Sequence, residues 1–256
     1  MPLTLTPLHG IPLIQPGDSL ADIILDAVLE NDGLQLEDND IFVIAQKIVS
    51  KAEGRLVNLT TVHPSSRAIE LAELTQKDAR LIEMVLQESS EVLRTRPGTI
   101  IVQHKLGFVC ANAGIDHSNV EGSWGDASDW ILLLPVDPDK SAADLQEKIF
   151  QRTGKKIGIV IIDSHGRAWR MGTVGVTIGV AGVPALVDMR GMQDMFGYTL
   201  RVTMIAAADE LAAGASLVMG QAAERTPVVH VRGFPFPLRD SSLQELIRPK
   251  DMDLFR

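Results

Sequence analysis

The stretch at residues 157–172, Ile157-Gly158-Ile159-Val160-Ile161-Ile162-Asp163-Ser164-His165-Gly166-Arg167-Ala168-Trp169-Arg170-Met171-Gly172, decides how this chain is read. Its first six residues are apolar and rich in β-branched side chains, and the run stops at Asp163-Ser164. A continuous run of this kind predicts a strand buried on both faces. A carboxylate and a hydroxyl at its end are hard oxygen donors on a rigid support, where a cation and a phosphate can meet. The same two residues also open turns, so the segment alone leaves both readings standing.

Working outward, Ser141 opens a predicted helix with Leu145, Ile149 and Phe150 on one face, which feeds into the strand. Downstream, Gly172, Gly175, Gly179 and Gly182 punctuate an apolar stretch. It lacks the Gly-Lys-Ser/Thr of a phosphate-binding P-loop and the spacing of a dinucleotide fingerprint. Close backbone packing is the better account of these glycines. Further strands are predicted at 3–8, with a break at Pro7, and at 41–45, 130–134, 199–206 and 227–231. Residues 99–103 and 107–111 form a predicted hairpin. Helices are predicted after Asp18 as N-cap, over 65–74, over 78–87 and over 207–218. Strands and helices mix without strict alternation, which predicts an α+β fold of mixed sheets with flanking helices.

The 256 residues suffice for one large domain or two lobes, and no repeat or low-complexity linker marks a boundary. With 22% charged and 45% hydrophobic residues the composition is that of a globular protein. A net charge of −9 argues against a general nucleic-acid binder, although a few lysines and a metal can reverse the field locally. The single cysteine, Cys110, excludes an internal disulfide framework and sits in an apolar run as a buried thiol. The sequence shows neither a membrane-length apolar stretch nor a signal peptide, so a cytoplasmic location is expected. No zinc-binding histidine pair and no Gly-x-Ser-x-Gly elbow is present.

What remains is polar residues at element ends. Asp116 and Asn119 share a loop, where the carboxylate suits a divalent cation and the amide a base or phosphate-linked oxygen; an Asx turn is the alternative. Lys47 and Lys51 follow the strand at 41–45 and offer point charges to phosphate, or are solvated. Gly220, Gln221, Arg225 and Thr226 belong to a loop beyond a helix, where backbone amides can cradle an anion or Gly220 can simply cap the helix.

Six segments then occur in one order. They are Gly10-Ile11-Pro12-Leu13-Ile14; Lys47-Ile48-Val49-Ser50-Lys51-Ala52-Glu53-Gly54-Arg55; Asn112-Ala113-Gly114-Ile115-Asp116 with Ser118-Asn119-Val120; Leu133-Leu134-Pro135-Val136-Asp137-Pro138-Asp139; Asp163-Ser164-His165-Gly166-Arg167; and Ala208-Asp209-Glu210. Together they resemble the coenzyme F420-0:L-glutamate ligase family, the GTP-dependent γ-glutamyl ligases of deazaflavin cofactor synthesis. The resemblance runs over residues 8 to 233. It implies a single ligase domain over 1–256 with two intertwined lobes and a family-specific fold, no C-terminal nitroreductase-like domain, and a homodimer.

The resemblance also implies a site. GTP would be contacted by Ile11, Pro12, Leu13 and Ile14, by Gln46, Lys51 and Asn119, and by Met219, Gly220, Gln221, Ala222, Ala223, Glu224, Arg225 and Thr226. Two divalent ions, Mg2+ or Mn2+, would be held by Asp116, Asp163, Ser164 and Gln221, with K+ as a further ion. Ser164 stands where the family often has threonine, and Gln221 where glutamate is frequent, which removes a negative charge. Gln46 replaces a small hydroxyl residue. The partners implied are GTP, L-glutamate and coenzyme F420-0. Arg167 and Arg170 are candidates for the acceptor's phosphodiester or the incoming carboxylates, with a structural salt bridge as the competing account. No catalytic base is identified. A non-catalytic metal- or phosphate-binding protein is the alternative function.

Overall fold

The computed structural model describes residues 2–31 and 33–254. In chain order it runs β1 (Thr4–Pro7), α1 (Leu20–Glu30), β2 (Ile41–Ala45), α2 (Gln46–Ala52), β3 (Leu56–Asn58), α3 (Ser66–Thr75), α4 (Ala79–Gln87), β4 (Ser89–Arg96), β5 (Thr99–His104) and β6 (Val109–Ala111). It continues with β7 (Trp130–Leu132), α5 (Pro138–Thr153), β8 (Gly158–Arg167), β9 (Arg170–Ala181), β10 (Val187–Asp188), β11 (Met204–Ile205), α6 (Ala207–Met219) and β12 (Val228–Arg232).

The apolar runs of β2 and β8 pair in parallel at the middle of a five-stranded sheet ordered β1-β12-β2-β8-β9, and every other pairing in it is antiparallel. One face carries α1, α2 and α5 over Phe42, Ile44, Ile159 and Ile161. The other carries α6 over Val43, Val160 and Ile162. Strands covered on both faces explain why their sequences do not alternate. A further core, built from Leu59 to Leu133, packs α3 and α4 against Ile100 and Val102 of β5, in the sheet β4-β5-β6. Its residues lie between α2 and α5 in the chain, so one lobe is inserted into the other. The α+β class with mixed sheets is as predicted.

Four local expectations are corrected. β8 does not end at Asp163 but runs on to Arg167, hairpinned with β9; only burial changes at Asp163, from core to partly covered. α5 starts at Pro138 rather than Ser141, because Asp137 caps it and a proline is well suited to a first helical turn. The N-cap of α1 is Ser19, while Asp18 instead accepts a hydrogen bond from the Gln15 amide, 2.7 Å away. Of the strand expected over 199–206, only Met204–Ile205 is strand.

Two of the three glycines of β9 serve close packing, while Gly172 has open space around it and takes φ 80° at the hairpin tip. A Cβ at Gly175 would lie 2.6 Å from the Ala212 carbonyl oxygen of α6, and one at Gly179 would lie 2.5 Å from the Pro138 backbone of α5.

Candidate active site

Three pieces of backbone set the site. The first is the loop after β6, where Asn112, Ala113 and Gly114 all take left-handed φ values of 52°, 54° and 68°. It is pinned by reciprocal backbone hydrogen bonds between Asp116 and Leu132, 3.0 and 2.9 Å. The second is the start of α2, which follows β2 directly. The third is the outer half of β8, where Asp163 and His165 share one face and Ser164 takes the other, as strand alternation requires.

The side chains converge from these supports. Asp116 accepts a 2.5 Å hydrogen bond from the Gln46 amide and is ion-paired with Lys47. Gln46 is buried, and its carbonyl oxygen accepts from the Ser50 hydroxyl at 2.9 Å, which fixes the amide's orientation. Lys51, one helical turn after Lys47, donates to the Asn119 carbonyl oxygen at 2.8 Å. Asn119, itself at φ 57°, donates through its amide to the Ala222 carbonyl oxygen at 3.2 Å. The loop at 219–226 is closed by Thr226 donating to the Met219 carbonyl oxygen (3.0 Å) and by Glu224 accepting from the Ala222 N–H (2.7 Å). On the other face of β8, the Ser164 hydroxyl donates to Gln221 Oε1 at 2.9 Å, and Gln221 Nε2 donates to Ser216 at 3.0 Å.

Charge is concentrated here. Burial raises the Asp116 carboxyl above its ordinary range; Lys47 pulls it back and the Asp163 carboxylate pushes it up again. Burial lowers the Lys51 ammonium, and the neighbouring Lys47 adds to that. Asp163 is 3.0 Å from His165 Nε2. Behind His165 lie Phe108 and then His104, with centroids 5.2 Å apart in each pair; Phe108 stacks on His104 and is tilted by 50° to His165. Burial, helped by His165, pulls His104 down to about 4, so that imidazole is neutral near pH 7.

Hydrogen bonds thus link Gln46 to Asp116, Lys51 to Asn119, Asn119 to the 219–226 loop, and Gln221 of that loop to Ser164, while Asp163 stands on the opposite face of β8 from Ser164, within electrostatic reach of Asp116. Ile14 and Ile11 pack against the cluster that holds Ile48 and Val49 of α2, while Pro12 and Leu13 are exposed. Arg167 and Arg170 pair across the tip of the β8–β9 hairpin. Arg167 lies four residues past Asp163, roughly 13 Å at the rise of an extended strand. Among the described residues neither arginine forms an ion pair; Arg167 donates instead to the Met171 and Gly172 carbonyl oxygens, both at 3.5 Å. Cys110 is buried and its thiol is pushed up to about 12, chiefly by burial, as an inert core residue. Among the described residues no three His, Cys, Asp or Glu side chains form a cluster that could hold a metal ion.

Sequence reasoning missed the Lys47–Asp116 pair and the His165–Asp163 contact. The signal for the second was available, since residues i and i+2 of a strand share a face. The first needed residues 46–52 to be read as a helix that returns Lys47 to the loop.

The F420-0:Gamma-glutamyl ligase family matches residues 10–233. The chain belongs to this family. It is 45% identical to the coenzyme F420:L-glutamate ligase of Methanothermobacter thermautotrophicus over the full length of both chains. The protein of the same name from Archaeoglobus fulgidus is 43% identical, covering 98% of this chain and 95% of its own length. The one from Methanopyrus kandleri is 41% identical over 97% of each. Among the described residues of this ligase-family chain, no helix is long and apolar enough to cross a membrane.

Proposed function

We propose that this chain is a GTP-dependent ligase that joins L-glutamate to coenzyme F420-0 through an acyl phosphate, with further glutamates added through γ-carboxylates. The observation that carries the reading is the convergence of Lys51, Asn119 and the 219–226 loop beside two carboxylates, on a chain 41–45% identical to proteins named for that ligation. Making an amide in water needs an activated acyl group. Attack of the acceptor carboxylate on the γ-phosphorus of GTP forms the mixed anhydride and releases GDP. The glutamate α-amine then attacks the acyl carbon and expels phosphate.

The chain's own groups have defined parts. Lys51 places a point charge on the triphosphate. Asn119 and the backbone of 219–226 hold the nucleotide's position. Asp116, Asp163, Ser164 and Gln221 form an all-oxygen donor set, which fits hard divalent cations such as Mg2+ or Mn2+; K+ is a further ion compatible with oxygen donors. Two such ions, when bound, neutralise phosphate charge during in-line transfer. Arg167 and Arg170, without carboxylate partners among the described residues, suit the acceptor's phosphodiester or the incoming carboxylates.

Mass spectrometry of reactions containing coenzyme F420-0, L-glutamate, GTP and Mn2+ tests the reading: glutamate-extended product and GDP are expected in equal amounts for the first addition. GTP binding without product would instead favour a non-catalytic phosphate-binding protein. Calorimetry with GTP separates the two lysines of α2. Lys51→Ala is expected to weaken binding by about tenfold, the scale of one lost charge-assisted contact. Weakening by Lys47→Ala alone would show the assignment to be out of register.

The second copy expected of this family also has a candidate surface. Between β10 and β11 the chain forms a hairpin-like arm, closed by the Gly191 N–H on the Leu200 carbonyl (2.9 Å) and the Leu200 N–H on the Met192 carbonyl (2.8 Å). Met195, Phe196 and Val202 on it are 88%, 87% and 85% exposed, and Tyr198 and Met192 are more than half exposed. A formed arm studded with large apolar side chains gains most by covering them. Light scattering is expected to give twice the chain's 27.8 kDa. Full ligase activity at the mass of one chain would overturn the dimer.

A further inference from the structure

The ammonium of Lys47 is buried, and among the described residues its one partner is the Asp116 carboxylate. An ammonium has three N–H donors, and buried donors left without acceptors are costly. Lys47 is thus held at Asp116 by charge rather than by a complete set of hydrogen bonds. Lys51, its neighbour one turn on, has an acceptor of its own in the Asn119 carbonyl. Asp163 is close enough to act electrostatically on Asp116. The cluster so described sets the ammonium groups of Lys47 and Lys51 against the carboxylates of Asp116 and Asp163, with Glu121 also acting on Lys51, so Asp116 already has a counter-charge without any bound ion. A divalent cation ligated by Asp116 meets a buried ammonium already on that carboxylate, and two cations crowded onto one carboxylate repel each other.

We propose that Lys47 is a stand-in cation: its ammonium neutralises Asp116 in the metal-free protein and must leave that carboxylate when a divalent ion binds. This rests on the reading that Asp116 is a metal ligand. The arrangement keeps the buried carboxylate compensated between turnovers.

The test uses the full chain and Mn2+ alone, with free Mn2+ followed by electron paramagnetic resonance. Lys47→Met, which keeps the apolar stem, is expected to tighten Mn2+ binding by tenfold or more, about the scale on which a contacting opposite charge shifts a carboxylate's equilibrium. Lys47→Arg, which keeps the charge, is expected to bind no more tightly than wild type, and Asp116→Asn to lose the site. Unchanged or weaker Mn2+ binding in Lys47→Met, alongside loss in Asp116→Asn, overturns the stand-in role and leaves the metal reading intact. Wild-type binding in Asp116→Asn overturns both. A measurement on the unaltered protein guards against a poorly folding variant. Acetic anhydride labelling, read by peptide mass spectrometry, is expected to modify Lys47 at least several-fold faster once Mn2+ is added; an unchanged rate overturns the proposal.

Discussion

Asp116→Asn is expected to lower glutamate ligation by on the order of a thousandfold or more, the scale of losing a group that organises transition-state charge. The substitution keeps the size of the side chain, and the backbone hydrogen bonds that pair residue 116 with Leu132 do not involve it. Unfolding therefore stays cooperative. Lys47 loses its counter-charge, so the melting temperature falls modestly. Asp163→Asn is expected to have a similar effect on turnover, because the two carboxylates act on each other across the site although 47 positions separate them in the chain. Product formation at the wild-type rate in either variant removes that residue from the chemistry.

The largest effect on stability is expected far from that region. Asp40, 1% exposed, precedes β2 and ties together the sheet's other end. It accepts from Arg232 Nε and Nη2 at 2.8 and 2.7 Å and from the Glu37 N–H at 2.7 Å, and lies 2.9 Å from His230 Nε2. Burial pushes its carboxyl up, but the bonds from Arg232, His230 and Glu37 outweigh that and hold it at about 2, below its ordinary 3.8. The folded-state value lies below the unfolded one, so this contribution is fully present above about pH 4 and is lost as pH falls towards 2. The difference corresponds to about 2 kcal/mol. Asp40→Ala also strands His230 and leaves Arg232 only Glu37 and the Gln35 carbonyl oxygen, and is expected to cost about 3 to 5 kcal/mol, roughly 10 °C in melting temperature. Thermal melts at neutral pH and near pH 2 check both points: the gap between variant and wild type should narrow in acid. A gap independent of pH would show that Asp40 matters for packing rather than charge.

The central sheet was legible in the sequence because β2 as far as Ile44 and the first half of β8 are buried on both faces, which leaves an unbroken apolar run. The family segments named Asp116 and Asn119, and the resemblance as a whole named the 219–226 loop, without requiring any geometry. What sequence could not supply were outcomes decided by distant contact. Asp163-Ser164 has the composition of a turn, yet β9 continues alongside as far as Arg170 and keeps the strand extended. Gln46 and Lys47 gave no sign that α2 begins at once after β2, which aims both side chains at a loop 70 residues away. The expected strand over 199–206 has apolar residues without a sheet to receive them, and most of it forms the exposed arm. Arg55, part of a family segment, turns out to hold lobes together: it donates to the Leu134 carbonyl oxygen and to Glu88, at 2.8 and 2.7 Å.

The glycine at position 175 acts as a spacer. It faces Ser164 across the β8–β9 ladder and lies against Ala212 and Ser216 of α6, with no room for even a methyl group. Ser216 accepts from Gln221, and Gln221 accepts from Ser164, so the triangle closes on the same strand pair. The height of the 219–226 loop above β8 is therefore gauged by the absence of one carbon atom. Substitution on the helix's outer side, as at the exposed Leu217, leaves that clearance unchanged as long as the shim stays thin.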